Sequence, residues 1–354
     1  MMQHRFHPFV LFNCLFLAFL THVSCQKPES TENHPISNQT VKIDGMTMVA
    51  PPDKFDIKSS PFDAMKDIHI SWVGIVPYAY TRIDEPTVRF GISNWQWWGE
   101  TAAGADVSIS IAHEEGMKVL LKPQVYVPSS WTGAISYKSE AEWLLWEKDY
   151  ENYIMTFAEM AAKHNVEIFC IGTEFKASTI SRPTFWEKLI DKIKDVYKGK
   201  LTYAANWDEY HQIRFWDKLD YIGVDAYFPL TDTAVPSVEE LHDAWRPIEK
   251  ELRGFSDKLN VPILFTEYGY MSVKGCAGKT WILEKDRSIL EYDEQAQANA
   301  FTAAHQVFWN KDYWAGGFIW KWYPHEFAGK DRMYKDYTPQ NKLSEKMLSK
   351  WYKK

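Results

Sequence analysis

Two glutamates stand where apolar runs stop: Glu174 in CIGTEF, residues 170–175, and Glu267 in LFTEYG, residues 264–269. A carboxylate at the tip of a buried-looking strand costs free energy to desolvate unless it is paired or used. Two such groups facing one another suit glycoside hydrolysis. One carboxyl must be protonated to help the leaving oxygen depart, and the other must be ionised to attack the anomeric carbon. Their repulsion raises the pKa of the acid. Forming a glycosyl-enzyme then removes that charge and lets the same group act as a base. Thr-Glu is a common dipeptide in a chain with 47 acidic residues, and STEN at 30–33 is another instance. What separates the pair from chance is the elements that carry it.

Eight short β-rich runs recur along the chain: GMTMVAPP, HISWVGIVPYAY, KVLLKPQVYV, VEIFCIGTEF, KLTYAANW, DYIGVDAYF, VPILFTEYGY and WAGGFIWKWY. Segments with 3.6-residue apolar spacing lie between them, among them residues 140–165, 182–199, 237–260 and 293–310, and a last one covers 343–354. Gly116 and Gly199 punctuate helix ends, while Pro183 and Pro236 sit near helix starts. Eight strands, each followed by a helix, predict an α/β chain folded as a single (β/α)8 TIM barrel over residues 43–354. A doubly wound open sheet is the competing architecture, but no glycine-rich phosphate loop follows the first strand. In a barrel the C-terminal strand ends form the active face, which puts Glu174 on the fourth strand and Glu267 on the seventh. Alternation along a strand sets Cys170, Gly172 and Glu174 on one face, and Ile263, Phe265 and Glu267 on another.

Composition excludes several classes. With 40 basic and 47 acidic residues the net charge is −7, so no basic field recruits nucleic acid. Aromatic residues make up 16% of the chain, 17 of them Trp, which points to flat amphipathic contact surfaces in addition to core. Residues 1–25 read as a secretory signal: Arg5 precedes the apolar run Phe9 to Leu20, too short to span a bilayer. The run ends in THVSC, which resembles a bacterial lipoprotein box with lipid attachment at Cys25, although His22 stands where such a box usually has Leu. The expectation is an exported protein, lipid-anchored at a bacterial envelope or otherwise secreted. Residues 26–42 are polar and aperiodic, as in a flexible tether. Beyond Cys14 and Cys25 only Cys170 and Cys276 remain, so no disulfide framework is indicated.

HISWVGIVPYAYTR, WQWWGE, VLLKPQVYV, CIGTEF, FTEYGY and GGFIWKWY together resemble glycoside hydrolase family 113 of the clan A retaining enzymes, whose characterised members are mostly β-1,4-mannanases. The resemblance covers almost the whole chain after the tether. It implies an endo-acting, retaining hydrolase of mannan-type polysaccharides, with Glu174 as acid/base and Glu267 as nucleophile. Many clan members have Asn before the acid/base, contacting the sugar 2-hydroxyl, where this chain has Thr173. A clan Tyr on the sixth strand orients the nucleophile, which makes Tyr227 the candidate here. A clan Trp on the eighth strand lies under the cleaved sugar, implying Trp320, with Trp322 on the same face.

Other strand ends offer sugar contacts. Lys122 and Gln124 share a face of the third strand, and the Lys122 charge needs a partner or a ligand. Asp225 shares a face with Tyr227, while Asn206 and Trp207 remain alternatives on the fifth strand. Trp98, with Trp95 and Trp97, is a candidate stacking platform, and Glu100 a hydroxyl contact. No metal or cofactor is called for: AHEEG at 112–116 lacks the second His of a zinc helix. Two alternatives stand beside the mannanase reading. One is a β-glucanase or transglycosylase of the same clan, and the other is a glycan-binding surface lipoprotein without catalysis.

Overall fold

The structure, a computed structural model, describes residues 42–54, 60–91, 96–324 and 333–353. The segments read as signal, lipobox with Cys25 and tether, up to residue 41, and Trp95 lie outside them. Eight parallel strands close into a barrel: β1 Ile43–Met48, β2 Trp72–Ile75, β3 Lys118–Leu121, β4 Ile168–Thr173, β5 Lys200–Asn206, β6 Tyr221–Asp225, β7 Ile263–Tyr268 and β8 Trp314–Trp322. Each pairs with its neighbour in sequence, and β8 closes on β1 with Ile43 opposite Gly316. This is the (β/α)8 barrel that the alternating runs predict.

Two apolar layers hold it together. Inside, Leu120, Ile168, Cys170, Ala204, Leu264 and Phe318 meet with Ile43 and Trp72, so the barrel is a packed core and not a pore. Gly45 makes room for this packing, since a Cβ there would overlap the Phe318 ring. The outward faces bury a larger cluster under the helices. Most of the 17 Trp have a place in it, with Trp146, Trp186, Trp216, Trp245, Trp314 and Trp322 almost wholly buried.

Local signals set the helix starts. Ser139 and Glu142 form a reciprocal capping box on helix Glu140–His164, and Pro183 opens helix Pro183–Val196 where no N–H is needed. Ser237, just after Pro236, caps helix Val238–Leu259. Gly116 takes a φ of +76° at the end of helix Ala102–Glu114, whereas helix Pro183–Val196 stops short of Gly199.

Two expectations need correction. The β5–β6 connection contains 3-10 turns at Tyr210–Gln212 and Trp216–Lys218 but no α-helix. Tyr210, Phe215 and Trp216 are buried there and cover the barrel in place of a helical stripe. The long second and third runs also break, because Pro77 in one and Pro123 in the other have no N–H for the ladder. Beyond these prolines, Tyr78–Tyr80 and Gln124–Tyr126 pair as a separate parallel ribbon.

Gly45→Ala should destabilise the barrel by about 2 kcal/mol or more through overpacking. Gly254, inside helix Val238–Leu259 with open space around its Cα, should gain about 0.5–1 kcal/mol as Ala. Urea unfolding of both variants measures the contrast.

Candidate active site

The strand alternation that places both glutamates inward is interrupted in β4 and β7 by β-bulges. On β4, Cys170 lies opposite Thr202 but Thr173 lies opposite Ala204, so β4 spends an extra residue. Cys170 faces the interior as expected. Gly172 faces outward instead, where a Cβ would lie 2.8 Å from the Trp186 ring. On β7, Val224 pairs with Phe265 and Asp225 with Glu267, again with one residue over. Ile263 and Phe265 belong to the outer layer, Phe265 against Phe308 and Trp314. The expected columns through Gly172 and through Phe265 are therefore wrong; each bulge turns its glutamate back to the mouth. Both glutamates line one open cleft of about 580 Å³.

Glu267 is held by three donors. Lys122 Nζ and Gln124 Nε2 reach its Oε1 at 2.5 and 2.7 Å, and the Tyr227 hydroxyl reaches Oε2 at 2.9 Å. Lys122, 0% exposed, also stands 3.3 Å from Asp225 Oδ1, which accepts the Thr266 hydroxyl at 2.7 Å. Burial alone would strip the proton from this lysine, yet the two carboxylates beside it raise its pKa. Asp225 is pushed up, first by burial and then by the charge of Glu267, against the pull of Lys122.

Glu174 has different surroundings. Its Oε2 accepts the Trp131 indole N–H at 2.6 Å. Burial pushes its carboxyl up to about 7, opposed by the Trp131 bond and reinforced by the charge of Glu267. Its backbone is left-handed, with φ 56°, and its N–H donates to the Ala204 carbonyl at 2.8 Å.

Of the candidate contacts, Gln124, Thr173, Asn206, Asp225, Tyr227 and Trp320 line the cleft. Thr173 Oγ1 is buried with no protein partner, and both Asn206 and Trp207 reach the site. Two expectations are corrected, and a third candidate stands outside the lining. Lys122 is sealed beneath the cleft by its two carboxylates and is not a sugar contact. Trp322 belongs to the outer core, because the β1–β8 register shifts after Thr47–Trp320 and pairs Met48 with Trp322. Trp98 sits in the 3-10 turn Trp98–Glu100 and is absent from the cleft lining; Glu100 there accepts the Tyr80 hydroxyl at 2.6 Å.

Residue-by-residue reading missed Trp131, Asp208, Trp281, Glu284 and Tyr337 in the lining. Trp131, 37% exposed in the polar stretch PSSWTG, carried a usable signal. Trp281 stacks on Trp207 at 5.9 Å and 12°. Among the described residues lining the cleft none is Lys or Arg. No group of metal-ligating side chains is found among the described residues.

An eight-stranded parallel barrel with two carboxylates at the mouth of an aromatic cleft defines the class of glycoside hydrolases. The chain belongs to glycoside hydrolase family 113, whose model matches residues 56–342. Solved structures share the fold. A family 113 β-1,4-mannanase is 23% identical over 88% of this chain and 98% of its own, with a TM-score of 0.72. The β-mannanase of Alicyclobacillus acidocaldarius is 22% identical over 88% and 97%, with a TM-score of 0.74. The β-glucuronidase of Ruminococcus gnavus, 15% identical, matches over 88% of this chain and 50% of its own at a TM-score of 0.61. No curated protein matches by sequence.

Lys122→Met should leave Asp225 and Glu267 as uncompensated buried charges and cost about 3–5 kcal/mol of stability at neutral pH. Urea denaturation at pH 7, with Lys122→Arg as the charge-keeping control, reads this out.

Proposed function

We propose that this chain is a retaining, endo-acting β-1,4-mannanase in which Glu267 is the nucleophile and Glu174 the acid/base. The observation that carries the assignment is the contrast between their environments. Three donors, one of them a lysine, stabilise the ionised form of Glu267. Burial pushes Glu174 up to about 7, so it holds a proton in mildly acidic solution. A carboxyl ringed by donors and a dry carboxyl with few of them are suited to different roles.

In the first step Glu174 gives its proton to the glycosidic oxygen as Glu267 attacks the anomeric carbon. The C–O bond to the leaving sugar breaks and an ester to Glu267 forms. Esterification removes the Glu267 charge, lowering the Glu174 pKa and letting the carboxylate take a proton from the incoming water. The Thr173 hydroxyl, unpartnered within the protein, takes the place of the clan Asn toward the sugar 2-hydroxyl. Trp320 supplies an apolar face for the sugar C–H groups.

Mannan is the favoured substrate because solved relatives at 22–23% identity are described as β-1,4-mannanases. An open cleft suits internal cleavage of a polymer. A lining of Glu174, Asp208, Asp225, Glu267 and Glu284, with no cation among the described lining residues, disfavours a uronate and so favours an uncharged glycan over a glucuronide. The apolar run before Cys25 supports export with a lipid on that cysteine.

Reducing-sugar release from β-1,4-mannan, β-glucan and xylan tests the reading. Mannan cleavage should fall by about 10³-fold or more in Glu267→Gln, in which an essential nucleophile is lost. Near wild-type turnover in that variant would remove Glu267 from the role. Glu174→Ala should keep the first step on aryl glycosides with good leaving groups, which need little protonation. On mannan, activity should decline as pH rises through about 7, where Glu174 loses the proton it must donate. Cys25→Ser should shift the protein from the detergent phase to the aqueous phase after membrane extraction; unchanged partitioning argues for plain secretion.

A further inference from the structure

The ribbon that leaves the barrel beyond Pro77 and Pro123 leads to both glutamates. At its root the buried Tyr153 hydroxyl, from helix Glu140–His164, lies 3.0 Å from the Pro77 carbonyl and 2.9 Å from the Gln124 carbonyl, tying both ribbon strands to one side chain. The strand Tyr78–Tyr80 is held from the WQWWGE stretch. Gln96 Nε2 donates to the Tyr78 carbonyl at 2.8 Å, and Glu100 accepts the Tyr80 hydroxyl at 2.6 Å. The other strand begins at Gln124, a donor to Glu267, and the chain that follows it carries Trp131, the donor to Glu174. One segment anchored outside the barrel therefore supplies a donor to each carboxyl.

The turn that presents Trp131 is shaped around the indole. Thr132 Oγ1 donates to the Val125 carbonyl at 3.0 Å, fastening the 3-10 turn Thr132–Ala134 back to the ribbon. Gly133 is buried in that turn, and a Cβ there would overlap the far edge of the Trp131 ring, so the ring rests against its own turn. From this seat the N–H reaches Glu174 Oε2 at 2.6 Å, while the residue remains 37% exposed in the cleft lining. A donor favours the ionised carboxyl, so the bond does not help Glu174 keep its proton. What it supplies is direction.

We propose that Trp131 is a positioning residue for Glu174: its N–H holds Oε2 and so fixes Oε1 as the oxygen that carries the proton to the glycosidic bond. The proposal rests on the assignment of Glu174 as acid/base. In a protonated carboxyl the oxygen without the hydrogen is the better acceptor, so the Trp131 bond and the proton sort onto opposite oxygens. The terminal torsion of a glutamate is broad. Without the bond, the proton would face away from the leaving oxygen part of the time, and lost alignment at a reacting centre is paid in rate. When the carboxylate later takes a proton from water, the same bond keeps Oε1 in place to receive it.

The test is kcat/KM for aryl glycosides of whichever glycan the enzyme cleaves, with leaving groups running from phenol to dinitrophenol. This ratio covers the steps up to breakage of the glycosidic bond, in which Glu174 is the acid; poor leaving groups need its proton and good ones need little. Trp131→Phe keeps an aromatic face and removes the N–H. Gly133→Ala keeps the N–H and pushes the ring off its seat. In both variants kcat/KM for the phenyl glycoside should fall about tenfold further than for the dinitrophenyl glycoside. A role confined to folding or to sugar contact lowers the whole series by one factor, and that result, or no loss at all, overturns the proposal. Glu174→Ala runs on the same series. Equal loss across it sinks the acid/base assignment itself, whereas selective loss there with an even loss in Trp131→Phe and Gly133→Ala sinks only the role of Trp131. The urea midpoint of each variant confirms the fold.

Discussion

A lysine with no solvent exposure holds the floor of the site, and the geometry above it follows from the need to neutralise that charge. Lys122 extends from the end of β3 to Glu267 on β7 and Asp225 on β6. A cation sealed in a barrel is tolerable only if anions lie against it and the remaining lone pairs find donors. Gln124, Tyr227 and Thr266 complete that requirement. The result is a carboxylate whose oxygens are already occupied from below and from the side, so it approaches a substrate in one orientation. Preorganisation of this kind costs no rearrangement at the moment of reaction.

The barrel, its strand count and the two glutamates were legible because each leaves a local trace. Apolar runs alternate with helical spacing, and a Glu that follows CIGT or LFT cannot be ordinary core. Lys122 was legible as a charge in need of a partner, and Tyr227 as the orienting hydroxyl. What failed was strand parity, because a bulge adds a residue without any mark in the residue types around it. The right residues were therefore found with the wrong columns beneath them. Gly172 shows the cost of that error: it is glycine because Trp186 and Tyr150 crowd the outer face, not because it lies under Glu174.

The aromatic residues were read least well, for a related reason. Trp98 and Trp322 look like platforms in sequence, yet one sits in a short 3-10 turn outside the cleft lining and the other is buried by a register shift. The rings that do line the cleft include Trp131, from the loop after β3, and Trp281, from the helix Thr280–Asp286 after β7. Loop geometry decides whether a Trp meets water, and no periodic pattern in a single chain encodes it. The missing β5–β6 helix belongs to the same class: buried aromatics in 3-10 turns cover the barrel there without the 3.6-residue stripe that announces a helix.

The two glutamates also differ in how their backbones are held, and this bears on which of them can change state. Glu267 lies within β7, paired on both sides and clamped by charge. Glu174 lies past the end of β4 in a left-handed turn, tied by N–H bonds to Ala204 and, through Phe175, to Tyr203. A nucleophile benefits from a fixed charge and a fixed trajectory. An acid that must later serve as base needs a pKa that responds to its neighbour, which requires a dry site and few compensating donors. Among the described residues Glu174 has one side-chain donor, Trp131, so loss of the Glu267 charge on esterification acts on it with little screening. Further donors on Glu174 would act in the same direction as the Trp131 bond, against the burial that keeps a proton on it for the leaving group. The sparse hydrogen bonding of one carboxyl is therefore as necessary to the proposed reaction as the dense hydrogen bonding of the other.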